Sequence, residues 1–193
     1  VRSNQSIIDY CCGGGGKSLL LGAILHNDGL IFAHDKNFNR MDGLKARAER
    51  LGIKNIKIIK EITPNDKFDR FIVDAPCSGS GTWRRSPDAK YRLTPKQLKA
   101  IEQAQTEILD IAAKHLAENG RIIYMTCSVL PEENELRIEK FLQDNPEFYP
   151  VNMKNLWERK LEQNYPFTET RWLKCSPILT GTDGFFVCVL QKK

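Results

Sequence analysis

The sequence predicts a doubly wound α/β fold, a mostly parallel sheet with helices on both faces. Three observations lead to it. Short β-branched runs alternate with helix-length segments along the chain, the order that builds βαβ units. A glycine stretch, Gly13-Gly14-Gly15-Gly16, joins the first run to the first helix. Polar or sulfur-bearing residues follow Tyr10, His34, Lys60, Asp74 and Thr126, the carboxyl ends of the runs, where open parallel sheets bind their ligands.

The elements follow in order. Residues 6–10 (SIIDY) read as the first strand, and residues 17–26 as the first helix, because Leu19, Leu20, Ala23 and Ile24 recur at helical spacing. Residues 30–34 (LIFAH) form a second strand. Residues 37–51 form a helix with Met41, Leu44, Ala48 and Leu51 on one face, ended by Gly52. Residues 53–60 alternate as a third strand and residues 68–74 (FDRFIVD) form a fourth, followed by a loop over 75–94. A long helix is expected from Pro95 to about Glu118, closed by Asn119 and Gly120. Residues 121–126 (RIIYMT) form a fifth strand, residues 131–142 a helix opening on Pro and acids, and residues 184–191 (GFFVCVLQ) a final strand. The stretch 148–179 reads as irregular, with room for a sixth strand and excursions around it.

At 193 residues the chain suits one domain with a real core. A hydrophobic fraction of 41% and a charged fraction of 27% exclude a disordered tail or a fibrous repeat. No run approaches the ~18 apolar residues of a membrane helix, and VRSNQSIIDY lacks the regions of a secretory signal. The expectation is a cytoplasmic protein with no membrane partner. Residue 1 is Val and the first apolar run starts at Ile7, so the chain reads as the body of a longer protein. Twenty-nine basic against 24 acidic side chains leave a net charge of +5, compatible with a nucleic-acid partner without requiring one.

The glycine loop ends in Gly16-Lys17-Ser18, as a phosphate-binding loop does, but that motif needs glycine at position 11, which is Cys. A glycine turn between a first strand and a first helix also lets a nucleoside's sugar and tail lie against bare backbone, with Asp9 beside it. Asp35, just past the second strand, is placed to accept bonds from a ribose; a helix-capping turn is the plainer reading of either acid. The six cysteines show no C-x-x-C spacing, so neither a zinc site nor disulfides are expected. Cys175 and Cys188 sit among strand-like residues, as small core hydrophobes do. Cys77 and Cys127 differ, because each follows a strand end and is flanked by small Ser and Gly residues that leave room for a substrate. After Cys77, Arg84, Arg85, Lys90 and Arg92 are interleaved with Trp83 and Tyr91, mixing phosphate-binding charge with stacking surface, unless they form only a solvated loop. Lys45, Arg47, Arg50, Lys54, Lys57 and Lys60 fit an ordinary solvated face, and His26, His34 and His115 fit no metal or triad pattern.

DYCCGGGGKS, the acid of HDKNFNR, DAPCSGSG, RRSPD, YMTCSVLPEENE and DGFF together resemble the successive motifs of the Nop/Sun family of S-adenosylmethionine-dependent RNA cytosine-5 methyltransferases, in its bacterial 16S ribosomal RNA branch. The resemblance runs from about Ile7 to Leu190. The pairing of a DAPC with a TCS motif sets this family apart from the DNA cytosine-5 enzymes, whose nucleophile lies in the strand-four motif. What the resemblance implies is a Rossmann-like fold with an antiparallel last strand, S-adenosyl-L-methionine as cofactor, RNA (ribosomal rather than transfer) as partner, and a cytoplasmic monomer. Residues 1–193 would all be catalytic domain, without the RRM-like and NusB-like N-terminal domains that help the family select RNA.

Position by position, the resemblance makes Cys127 the nucleophile and Cys77 the thiol that assists product release. Asp74 would bond the cytosine edge and Lys17 would sit near the base. Cys11, Cys12, Gly13, Gly14, Gly15, Gly16, Lys17 and Asp74 would line the cofactor, Asp35 would hold its ribose, and Arg40 would lie beside it. Glu61 falls where the family usually has an Asp near the adenine, and Gly14 where it usually has a Pro; both departures bear on cofactor affinity.

The chemistry accounts for these residue types independently. Cytosine C5 is a poor nucleophile, so a thiolate must add at C6 to create an enamine that can attack a sulfonium methyl group. Density then moves toward N3, where a protonated Asp74, or Asp74 working with Lys17, would stabilise it. The C5 proton must finally leave, with Cys77 as base or relay. Methyl transfer to a protein or small molecule would explain the glycine loop but not the paired cysteines, and a non-catalytic RNA-binding module would explain only the basic loop.

Overall fold

The computed structural model describes residues 4–193, and contacts divide the chain into two compact units. The first comprises Val1–Asp74 and Ala112–Ile122, the second Ala75–Ile111 and Ile123–Lys193.

In the first unit, β1 (Ser6–Asp9), β2 (Leu30–Ala33), β3 (Ile56–Ile58), β4 (Phe68–Asp74) and the start of β5 (Leu116–Thr126) lie in the order β3-β2-β1-β4-β5. β1 is parallel to β2 and β4, and β2 to β3. Ile7, Ile8, Ile31 and Phe71 have no exposed surface, which is why these strands are continuous apolar runs rather than alternating ones. The helix after β1 is α1 (Gly16–Ile24). The helix expected over 37–51 is shorter, a 3-10 turn at Phe38–Met41 and then α2 (Leu44–Arg50), because Gly43 takes φ 79° between them. Leu19, Met41, Leu44, Ala48 and Ile53 close a buried cluster with Cys12 and Ala33. The third strand is confined to Ile56–Ile58, since Ile53 N–H is drawn back to the Ala48 carbonyl at the end of α2.

The long helix, α4 (Pro95–Lys114), stops four residues before Glu118. Phe68 N–H bonds the His115 carbonyl and Leu116 is buried, so pairing with β4 overrides the helix propensity of residues 115–118. Asn119, read above as part of a helix stop, lies inside β5 at φ 58°. The start of α4 is as expected, with Thr94 and Gln97 exchanging bonds as a capping box.

In the second unit, α3 (Ala89–Arg92) interrupts the loop expected over 75–94, and Pro131–Glu133 forms a 3-10 turn ahead of α5 (Glu135–Asp144). The stretch expected to be irregular holds β6 (Phe148–Pro150), α6 (Met153–Leu161), β7 (Leu173–Cys175) and α7 (Pro177–Thr180). The last strand, β8 (Phe185–Lys192), lies between the end of β5 and β6 and runs antiparallel to β6 and β7, as expected of the final strand. Tyr124, Ile138, Phe186, Cys188 and Leu190 are fully buried around it, and burial pushes the Cys188 thiol up to about 12. Cys188 is therefore an inert core residue, while Cys175 is half-buried.

Gly184 explains part of the DGFF motif. Its N–H donates to the Gly81 carbonyl at 2.8 Å, and a Cβ on Gly81 would fall 2.4 Å from the Gly184 carbonyl oxygen. Gly81→Ala should cost roughly 1–3 kcal/mol or more, because backbone cannot yield as a side chain can. Gly14→Ala, whose Cβ would meet only the Arg47 guanidinium at 3.5 Å, should change stability by less than about 0.5 kcal/mol. Denaturant melts of the two variants decide this; equal midpoints would mean that the two loops do not approach as described.

Candidate active site

The glycine loop leaves β1 at Asp9. Tyr10 and Cys12 N–H bond the Ile72 and His34 carbonyls, and Gly15 N–H closes a turn on the Cys12 carbonyl at 2.8 Å. Gly15 sits at φ 80° just ahead of α1, with Leu44 so close that a Cβ would come within 2.4 Å of it, so no other residue fits. Gly14 is outside the left-handed region, and a Cβ there would meet only the Arg47 guanidinium at 3.5 Å. Its carbonyl accepts from the Arg47 guanidinium.

Asp9 is fully buried; its Oδ2 accepts from Ser18 Oγ at 2.6 Å, and its Oδ1 has no partner. The serine of Gly16-Lys17-Ser18 therefore serves this carboxyl. Burial raises the Asp9 pKa from 3.8 to about 6, with the Ser18 bond acting in the other direction. Lys17 reaches across to Asp74, Nζ donating to Oδ2 at 2.6 Å with both side chains more than a third exposed. Asp9, Cys11, Cys12, Gly13, Lys17 and Asp74 line a cavity of about 440 Å³. Burial, then the charges of Asp35, Asp9 and Asp74, push the Cys11 thiol up to about 12, and burial does the same to Cys12, so both thiols stay neutral.

Asp35 is buried as well, and its carboxylate is already engaged. Oδ2 accepts from Gly13 N–H at 2.8 Å and from Arg40 Nη1 at 3.3 Å, and Oδ1 accepts from Asn37 N–H at 2.9 Å. It braces the glycine loop, and any ribose hydroxyl would share its remaining lone pairs. Arg40 lies over Gly13, where a Cβ would meet Nη2 at 2.8 Å. Glu61 is exposed beyond β3 and does not line the cavity. His34, left without a role, stacks on Tyr10 at 4.3 Å between ring centroids.

In the second unit the two cysteines meet. Cys77 Sγ and Cys127 Sγ are 3.3 Å apart, both half-buried. The hydrogen bond to Cys127, and then burial, raise the Cys77 pKa. The Cys77 loop is tied to the Cys127 loop by Ala75 N–H to the Met125 carbonyl, Gly81 N–H to the Cys127 carbonyl and Val129 N–H to Ser80 Oγ.

Glu133, which sequence reasoning took only as an acid in the first turn of a helix, is fully buried and accepts from Ser78 N–H, Ser78 Oγ, Ser128 Oγ and Gln105 Nε2. Its neighbour Asn134 accepts from Thr126 Oγ1 and donates to the Ser128 carbonyl. The available signal was the set of serines in DAPCSGSG and TCS, whose hydroxyls need an acceptor once buried. Arg84 and Arg85, read as RNA contacts, both pair with Asp183, at 3.2 and 2.7 Å, while remaining more than three-fifths exposed. Exposed pairs of this kind are worth about 0–1 kcal/mol, so a phosphate can compete for either arginine.

Comparison with solved structures gives the class first. The crystal structure of PH0851 is 31% identical with a TM-score of 0.86, over 99% of this chain and 43% of that one. NSun6 from Pyrococcus horikoshii, solved with SFG, is 26% identical with a TM-score of 0.82, over 100% of this chain and 49% of that one. The fold is the Rossmann-like methyltransferase fold, mostly parallel with an antiparallel last strand. The chain belongs to the 16S rRNA methyltransferase RsmB/F family, whose model it matches over residues 1–191. It is 34% identical to the probable ribosomal RNA small subunit methyltransferase B of Bacillus subtilis (strain 168) over 199 residues, all of this chain and 44% of the relative. The chain thus spans less than half the length of that curated relative. The expected Nop/Sun resemblance and its 16S branch hold.

The buried Asp9 carries a pH signature. Below about pH 4 it is protonated in both folded and unfolded chains; between about pH 4 and 6 the unfolded chain releases the proton first, so folded stability falls as pH rises. Asp9→Asn keeps an acceptor for Ser18 and removes the titration. The variant should gain roughly 2–3 kcal/mol on the parent between pH 4 and 7. Urea melts across that range test this, and a constant difference would remove Asp9 from its buried position.

Proposed function

We propose that the chain is the catalytic domain of an S-adenosylmethionine-dependent methyltransferase that transfers a methyl group to cytosine C5 of small-subunit ribosomal RNA through a covalent adduct with Cys127. The observation that carries this reading is the 3.3 Å contact between Cys77 and Cys127, two thiols from separate strand-end loops. Structural thiols would not need serine-lined loops and half-exposed positions, whereas a nucleophile and a proton-relaying partner do.

The glycine loop fits the cofactor. Its cavity is walled by backbone at Gly13 and Gly14, a Cβ on Gly16 would meet nothing, and the unpartnered Asp9 Oδ1 waits for a donor. Cys11, Cys12, Gly13, Gly14, Gly15, Gly16 and Lys17 would hold it, with Asp35 and Arg40 on the ribose side; Glu61 joins only on the strength of the family resemblance. When bound, S-adenosyl-L-methionine supplies an electrophilic methyl group; that NSun6 was solved with SFG supports the assignment.

Cys127 adds as thiolate to C6, forming the S–C6 bond while the C5–C6 π pair moves into the ring toward N3. Asp74, paired with Lys17 at 2.6 Å, would meet the cytosine edge, and Lys17 Nζ would supply the donor that stabilises that density. C5 then takes the methyl group. Cys77 would relay the C5 proton away, and the electrons of the C5–H bond restore the double bond as Cys127 leaves as thiolate. Arg84 and Arg85 would exchange Asp183 for RNA phosphates. The RNA is the partner; a cytoplasmic monomer without a membrane partner completes the proposal, and among the described residues no helix is long and apolar enough to cross a membrane.

The two thiols act at different steps, so their loss should be distinguishable. Cys127→Ala should abolish both turnover and adduct, because no S–C6 bond can form. Cys77→Ala should allow attack and methylation but stall elimination, trapping RNA on the protein. Denaturing gels of each variant, incubated with S-adenosylmethionine and small-subunit RNA, should show a ribonuclease-sensitive slow band for Cys77→Ala only. The band in Cys127→Ala instead would exchange the roles, and full activity in both variants would end the covalent reading.

A further inference from the structure

Glu133 has no part in the chemistry above, yet it accepts four hydrogen bonds from three residues of the second unit. It sits in the turn Pro131–Glu133, fully buried. A carboxylate in that position is tolerated only when its oxygens are saturated with donors. Oε1 takes Ser78 N–H at 2.8 Å and Gln105 Nε2 at 3.2 Å, and Oε2 takes the Ser78 and Ser128 hydroxyls. Ser78 directly follows Cys77, and Ser128 directly follows Cys127.

The second amide contact of Gln105, to the Pro76 carbonyl at 2.9 Å, fixes the residue before Cys77 to the same centre. On the other side Asn134 holds Thr126 and Ser128, the residues flanking Cys127. Tyr124 donates to the Glu133 carbonyl at 2.7 Å and anchors the turn to β5. Each thiol is thus followed by a serine that bonds Glu133 directly and preceded by a residue held by Gln105 or Asn134.

We propose that Glu133 is the positioning residue of the thiol pair: by taking donors from both loops it sets the separation of Cys77 and Cys127. Its catalytic meaning rests on the two-thiol reading above; its geometric role does not. Reach rather than charge is what matters. A glutamine keeps the length, offers one acceptor to Ser78 N–H, and lets both hydroxyls turn to accept from its NH₂ group. An aspartate keeps the charge but is one methylene too short to meet both loops at once.

The test needs neither RNA nor cofactor. Phenylarsenous acid condenses with two neighbouring thiols, forming two As–S bonds and releasing two waters, and peptide mapping assigns the bridge to Cys77 and Cys127. Bridging should proceed in Glu133→Gln within about threefold of the parent rate, and at least tenfold more slowly in Glu133→Asp and in the double variant Ser78→Ala/Ser128→Ala. Melting curves identify any variant that has not folded, and if Glu133→Asp is among them the double serine variant decides. With small-subunit RNA, Glu133→Asp should lower kcat while leaving KM for RNA unchanged, and Glu133→Gln should restore kcat. Parental bridging rates in a folded Glu133→Asp or in the double variant, or equal slowing by Gln and Asp, would overturn the proposal. Altered bridging without any adduct in Cys77→Ala would leave the positioning role standing and refute the covalent mechanism instead.

Discussion

A carboxylate without exposed surface must find donors for both oxygens, and Glu133 finds them in the two loops that carry Cys77 and Cys127. That requirement organises the second unit's site. The small residues of DAPCSGSG let one loop approach, the hydroxyls of Ser78, Ser80 and Ser128 supply the donors and links, and Gly81 admits Gly184 against its backbone. Two thiols that are 50 residues apart in the chain come to 3.3 Å. A pair this close can share a proton between its sulfurs, and the contact with Cys127, together with burial, raises the Cys77 pKa.

The first unit solves a different problem with similar means. Its loop must present backbone to a ligand and still remain fixed. Asp35 fixes it by accepting from Gly13 N–H, and the turn from Gly15 N–H to the Cys12 carbonyl completes it. Asp9 is left neutral over much of the acidic range by burial, with one oxygen satisfied and one open. Uncompensated groups of this kind cost stability and persist at sites where a ligand completes them.

The sequence made the parallel strands legible because they read as unbroken apolar runs, as in SIID, where Ile7 and Ile8 are buried on both faces, and in LIFA. It made the thiols legible because each follows a strand end among small residues. It failed where tertiary pairing competes with local propensity. HLAEN has the composition of a helix end, but pairing with β4 extends β5 down to Leu116. Gly43 divides a helix whose apolar spacing reads as continuous, and the β8-paired segment Leu173–Cys175 is too short to show a period. Asp35 reads from the sequence as a ribose acceptor, but its contacts with Gly13 N–H and Arg40 depend on a backbone turn that no spacing reveals. Glu133 was hidden by its own position, since acids at the start of a helix are ordinarily solvated dipole partners.

Covalent attack by Cys127 is tested most directly with RNA carrying 5-fluorocytidine in place of cytidine. Fluorine at C5 cannot leave as a proton does, so once methyl transfer has occurred the S–C6 bond has no route to elimination, and the parent protein itself is trapped. Digestion and mass spectrometry of the trapped species should place the modified nucleotide on Cys127, dependent on added S-adenosylmethionine for its stability. A nucleotide on Cys77, or efficient turnover of the fluorinated RNA with no adduct on any cysteine, would contradict the mechanism.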